Sequence, residues 1–265
     1  MNSPIVIDSK PDYTRAGLSS GDTPTVVFPT NSVTSKAPMD AYGMVTNWDG
    51  MKDVLSHTFK QLGVDPSQHS IIITEPPLNS EVNREKMTQI FFETFKVSGF
   101  YLIMRELLAL YDGGNLNGTV INFGENGSCL VIVPCYQGSP FTHAIIQYSL
   151  KENKINDQEV ANIADRVYAS IFRCDSDVRH SLYSNIILTG SSSMYTGIST
   201  KLRDRVAALA PPNATVKIVE ANEPENAAWR GGDKMAPLLN ENGSWITKQE
   251  YQQYGAKIVH DKCFQ

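Results

Sequence analysis

The chain has 265 residues, enough for one large or two modest domains around a well-buried core. Its 23 Lys+Arg against 28 Asp+Glu give a net charge of −5 without a basic block, which argues against nucleic acid or an anionic membrane as the main partner. No apolar run approaches membrane-spanning length, and Met1-Asn2-Ser3-Pro4 lacks the charged and apolar regions of a signal peptide. The four cysteines (Cys129, Cys135, Cys174, Cys263) form no C-x-x-C pair, so free thiols in a reducing compartment are expected.

In chain order, Ile5-Val6-Ile7 reads as a strand, Asp8-Ser9-Lys10-Pro11-Asp12 as a turn and Tyr13–Leu18 as a second strand. Thr23–Pro29 is a short apolar segment bracketed by prolines, and Thr30–Ala41 reads as a polar surface loop. Asn47 caps a helix with Asp49 in its first turn, with Met51, Leu55, Phe59 and Leu62 on one face and Gly63 at its end. Ser70–Thr74 is a buried strand stopped by Pro76-Pro77. Asn79 begins a helix that is apolar at Val82, Met87, Ile90, Phe91 and Phe95. A strand near Phe100–Ile103 leads into a helix ending at Asp112-Gly113-Gly114, where the glycines suit a hinge.

Thr119-Val120-Ile121 and Ser128–Pro134 are apolar strands around the turn Asn122–Gly127. Its Asn126-Gly127 step is the strongest short-range hairpin signal, because both central positions need positive φ. A third strand around Thr142–Gln147 and the polar stretch Lys151–Asp157 lead to a helix with Val160, Ile163, Val167 and Ile171 on one face. Ile186–Leu188 is a strand, Gly190–Ser193 a loop, and Tyr195–Leu209 a helix stopped by Pro211-Pro212. Val216–Val219 is the next strand, and Lys248–Tyr254 is helical. Two strand–turn–strand units half a chain apart, followed by alternating strands and helices, predict an α/β fold of two related lobes with mixed, mainly parallel sheets.

Several strings resemble the actin family: Val45-Thr46-Asn47-Trp48-Asp49 with His57-Thr58-Phe59, Thr74-Glu75-Pro76-Pro77-Leu78-Asn79, and Asn83–Ile90. Ser193-Met194-Tyr195 with Gly197, Ala207–Pro211, Trp245–Tyr251 and Ile258–Phe264 extend the likeness over most of the chain. The resemblance implies a two-lobed, ribonuclease H-like α/β fold with nucleotide in the cleft. It implies inner lobes at 1–113 with 227–265 and at 114–226. The family's outer insertions are missing near 30–42 and 150–156, so only the inner subdomains are expected.

The family's first phosphate turn reads Asp-Asn-Gly-Ser-Gly with a lysine further on. Here Asp8 is kept, Ser9, Lys10, Pro11 and Asp12 replace the rest, and Arg15 stands for the lysine. Phosphate turns need converging N–H groups, and Pro11 removes one. Lys10 is a candidate phosphate ligand in its own right. In the second turn Asn122 replaces an aspartate, followed by Gly124 and Glu125, and Arg105 takes the place of the glutamine that positions the attacking water. Asp8 and Glu125 are the candidate magnesium ligands, and Arg105 is expected to pair with Asp8. Gly190, Met194 and Tyr195 match the adenine-facing loop, while Glu225 replaces a lysine beneath the base.

Hydrolysis is therefore expected to be lost at the degenerate positions Asn122 and Arg105. No cofactor is expected, with ATP and magnesium at low affinity as the alternative. The family's partner groove keeps Tyr111, Leu116, Met235 and Leu238, while Pro237 should shorten or kink its front helix, which ends at Asn242-Gly243. These features imply a cytoplasmic, cytoskeletal pseudo-actin that contacts actin or actin-binding proteins and forms no filament alone. The alternative is a minimal actin-type ATP-binding protein with residual Mg-ATPase activity.

Overall fold

The structure is a computed structural model that describes residues 2–124, 129–150, 155–190 and 197–263. The chain forms two compact units, one of Met1–Leu108 with Ala228–Gln265 and one of Ala109–Ala227.

In the first unit β1 (Ile5–Ser9), β2 (Tyr13–Leu18) and β3 (Val26–Pro29) form an antiparallel meander. β4 (Ser70–Glu75) lies parallel to β1, β5 (Gly99–Met104) parallel to β4, and the short β12 (Ile246–Thr247) closes the far edge. All five residues of β1 are buried, as befits a strand with neighbours on both edges and cover on both faces.

The second unit repeats the plan. β6 (Gly118–Phe123) and β7 (Cys129–Tyr136) form a hairpin, extended by β8 (Ser139–Pro140) and β9 (Ile146–Ser149) along β7. β10 (Ile186–Thr189) and β11 (Ile218–Glu220) then follow in parallel from β6. The expectation of mainly parallel sheets is corrected: each unit opens with a meander, so three strand pairings in each sheet are antiparallel and two are parallel.

Local chemistry sets the helix ends. In α1 (Trp48–Leu62) the Asn47 side chain accepts from Gly50 N–H, and Gly63 terminates it at φ 67°. α2 (Glu81–Gln89) starts one residue later than expected, capped by Ser80, because the Asn79 amide is drawn to Glu75 Oε2 at 2.9 Å. Val82, expected in the core, is 75% exposed. The inward face of α2 is set by Arg84, which bonds Glu75, and Val82 lies about 200° round the helix from it. α2 runs into a π-helical turn at Ile90–Thr94 that carries Phe91 and Phe92 into the core. Thr142–Ala144 is a 3₁₀ turn rather than strand, and pairing resumes only at Ile146.

In the second unit α4 (Asp157–Arg173) is capped by Asn156 and followed by the short α5 (Arg179–Ser184), and with α6 (Ile198–Leu209) it packs Val160, Ile163, Val167, Leu202 and Val206 against Ile121, Ile132 and Leu188. The Asn126-Gly127 turn, Tyr195 and Thr196 lie outside the described residues, and the helix expected from Tyr195 begins at Ile198 after Gly197 at φ 79°. All four cysteines are buried and in no disulfide, and no helix is long and apolar enough to cross a membrane among the described residues.

α7 (Ala227–Glu241) continues through Pro237, which corrects the expected shortening, and Gly243 follows its end at φ 62°. Proline cannot donate to the carbonyl four residues back. That carbonyl, of Asp233, receives the Ser19 hydroxyl at 3.4 Å instead, while Ser20 N–H donates to Asp233 Oδ1 at 2.6 Å. The helix survives its proline by borrowing a donor from the loop after β2. Pro237→Ala restores the missing helical N–H, and in urea unfolding the variant is expected to gain about 1–3 kcal/mol over the parent. An unchanged or lower midpoint would show that the Ser19 contact compensates fully.

Candidate functional site

The candidate site of the first unit is the turn between β1 and β2 with the side chains beneath it. Asp8 is fully buried. Alternation along β1 places it on the face of Val6, one step beyond the Ile7–Ile73 pair, and so beside Thr74 at the end of β4. Thr74 Oγ1 donates to Asp8 Oδ1 at 2.8 Å, Lys10 Nζ lies 3.4 Å from Oδ2, and Arg105 Nε lies 3.8 Å from Oδ1. Arg15 faces Asp8 across the β1–β2 ladder and is itself buried. Burial alone would push the carboxyl up, but Lys10, Arg105, the Thr74 hydroxyl and Arg15 together hold it below its ordinary value. The expected Asp8–Arg105 pair is present.

The turn above this charge spends its backbone groups internally. Lys10 N–H donates to Tyr13 O at 3.0 Å, Pro11 has no N–H, and Tyr13 N–H donates to the Asp12 carboxylate at 2.8 Å. Three of the four positions from 10 to 13 therefore offer no N–H to an incoming anion. The carbonyls are held too. Thr30 Oγ1 bonds Lys10 O at 2.6 Å, Asn31 Nδ2 bonds Pro11 O at 3.2 Å, and Thr30 N–H bonds Asp12 O at 2.8 Å. Hydroxyls of Ser9, Thr14 and Thr30 form a chain with both links at 2.9 Å. The Thr30–Ala41 stretch thus departs from a plain surface loop: Thr30 is fully buried and clamps the turn.

Arg105 opens α3 (Arg105–Asp112) and its guanidinium donates to Ser9 O at 3.0 Å. Gly43, at φ +91°, sits so close that a Cβ there would come within 2.9 Å of an Arg105 nitrogen. Below, Glu75 pairs with Arg84 at 3.1 Å, and Arg84 also reaches Cys263 O at 3.1 Å. Sequence reasoning missed Thr74, Thr30, Asn31 and Gly43. Of these only Thr74 was signalled, by strand alternation.

In the second unit Asn122 pairs with Val131 of β7 and Thr189 of β10. Gly124 N–H bonds Cys129 O at 2.9 Å, and a Cβ on Gly190 would lie 1.9 Å from Phe123 O, so only glycine fits there. Glu125, Met194 and Tyr195 lie outside the described residues. Of the groove residues, Tyr111 is half-buried and Leu116 exposed in this unit, whereas Met235 is half-buried and Leu238 exposed on α7 of the first.

Two units of the same strand plan, each opening on a hairpin with a polar turn, define the two-lobed α/β class of the actin fold. A family model described as Actin matches residues 30–160 and 147–264, and the chain belongs to the actin family. Members of that family typically bind ATP with magnesium. The described first turn does not fit that group: three of its four positions from 10 to 13 offer no N–H, and Asp8 already faces Lys10, Arg105 and Arg15 where a metal would need a free carboxylate.

Asp8→Asn leaves the buried Arg15 and Arg105 and the half-buried Lys10 against a neutral amide, and is expected to cost about 3–5 kcal/mol in urea unfolding at neutral pH. Because the folded value lies below the ordinary 3.8, the stability Asp8 contributes is complete above 3.8 and is lost as pH falls through the folded value. The gap between parent and variant should therefore close on acidification below that point. A gap that stays constant into strong acid would refute the ion cluster.

Proposed function

We propose that the protein is a non-hydrolysing pseudo-actin that acts through protein–protein contacts, with actin filaments or actin-binding proteins as partners, in the cytoplasm at the cytoskeleton. The observation that carries this reading is the self-saturated first turn: Asp12 supplies its own anion to Tyr13 N–H, and Lys10 and Arg105 neutralise Asp8. A second support is Arg105 itself, a permanent cation with no acceptor atom, at the position where the family orients water. The short run from Pro29 to Tyr42 stands where the family inserts an outer domain, so the protein is not expected to polymerise alone.

The other reading is a minimal Mg-ATP-binding protein using Asp8 and Glu125. It is favoured by the retained, ionised Asp8. Calorimetry with Mg-ATP separates the two: no heat up to high micromolar ligand is expected, and saturable binding with release of inorganic phosphate would overturn the proposal. Co-sedimentation with preformed actin filaments tests the partner. A fraction in the pellet that rises saturably with filament concentration is expected, and a protein confined to the supernatant rejects filaments as the partner.

A further inference from the structure

Three asparagines in the chain precede glycine, the pairing that most readily closes a succinimide ring, because no Cβ on the second residue crowds the attacking nitrogen. Asn126-Gly127 lies outside the described residues, and the fold treats the other two differently.

Asn117-Gly118 stands at the start of β6, with Asn117 half-buried and Gly118 buried. The Asn117 side-chain oxygen accepts Gln137 N–H at 2.6 Å, and its main-chain oxygen accepts Asn185 Nδ2 at 2.7 Å. Gly118 is ladder-paired with Cys135, and a Cβ on it would lie 2.5 Å from Asn185 O. Neither the amide nor the backbone turns here without breaking these bonds.

Asn242-Gly243 follows α7, and both residues are exposed. Asn242 N–H bonds Leu238 O at 2.9 Å and Ser244 N–H bonds Leu239 O at 3.1 Å, closing a helix whose chain leaves through Gly243 at φ 62°. The peptide joining 242 to 243 makes no hydrogen bond among the described residues, either from Gly243 N–H or to Asn242 O. The Asn242 side chain has no partner among them either, and nothing lies within 4 Å of the place a Gly243 Cβ would take. The nucleophile, the amide it attacks and the peptide that must rotate are all unrestrained.

We infer that Asn242 is a site of spontaneous covalent modification, converting in the folded protein to isoaspartate and aspartate through attack by its neighbour Gly243. Gly243 N adds to Cγ of Asn242: the N–Cγ bond forms, the Cγ–Nδ2 bond breaks, and Nδ2 leaves as ammonia with the glycine proton. Water then opens the ring. Addition at Cγ gives aspartate, and addition at the main-chain carbonyl gives isoaspartate, whose backbone runs through the side-chain methylene. Either product puts a negative charge beside Glu241 at the carbonyl end of α7, where the helix dipole disfavours it. Isoaspartate also adds a backbone carbon inside the loop that the Ser244–Leu239 bond closes. The chemistry needs neither nucleotide nor partner.

The full-length protein, incubated in warm, mildly alkaline buffer with and without denaturing guanidinium chloride, is mapped by tryptic digestion and electron-transfer fragmentation. In the native sample isoaspartate is expected to accumulate at Asn242, in the peptide 235–248, while Asn117 stays intact; in denaturant both are expected to convert. An Asn242 that converts only in denaturant, or a native Asn117 that keeps pace with it, overturns the inference. Gly243→Ala, whose Cβ meets no atom within 4 Å, is expected to slow the native conversion several-fold. Aspartate as the sole product, or a rate unchanged by that variant, would mean direct hydrolysis of the side-chain amide and remove the succinimide route.

Discussion

A single buried carboxylate governs the first unit. Asp8 sits at the end of the central strand with no exposure to solvent, and an isolated charge there would be paid for in several kcal/mol of lost hydration. The protein keeps it charged by bringing in Lys10 from the turn above, Arg105 from α3 and a hydroxyl from β4. Each of those groups belongs to a different element, so holding the charge fixes where the turn, the helix start and the neighbouring strand end. Gly43 has no side chain because Arg105 must pass it, and Thr30 turns inward because the turn must be held still.

Charges of both signs in the first unit stand at spacings that suit each other, with Lys10 at 3.4 Å and Arg105 at 3.8 Å from the Asp8 carboxylate. Such clusters add little net stability compared with apolar packing, since desolvation offsets most of the attraction. What they provide is position: a carboxylate with three defined contacts tolerates fewer arrangements than a patch of aliphatic carbon. The second unit follows the same strand plan, with Gly190 pressed against the Phe123 carbonyl so that the end of β10 and the end of β6 meet without a side chain between them.

Much of this was legible from the residues. The caps at Asn47 and Gly63 act through side-chain or backbone groups next to the helix they bound, so local reading found them. The Asp8–Arg105 pair was also visible, from two charges carried into positions the family places together. Val82 was misread because a buried ion pair, Glu75 with Arg84, outweighs a valine in choosing which face turns inward, and the start of α2 because the Asn79 amide bonds Glu75 instead of capping the helix. The clamp by Thr30 and Asn31 depends on the pairing of Tyr13 with Pro29 across β2 and β3, a register that no periodicity announces. The bond from Ser19 to the Asp233 carbonyl that Pro237 leaves open spans 214 positions and is invisible to any local rule.

The reach of Arg84 to the carbonyl of Cys263, 179 positions later, has a bearing on how the polypeptide matures. The first unit is split in sequence: its sheet and most of its helices come early, but α7 and the segment that Arg84 grips are synthesised after the second unit. Residues 109–227 form an uninterrupted stretch, so that unit has all its parts while the ribosome is still adding the remainder. The Glu75–Arg84 pair stays short of that carbonyl until translation has delivered Cys263, after the whole of the second unit.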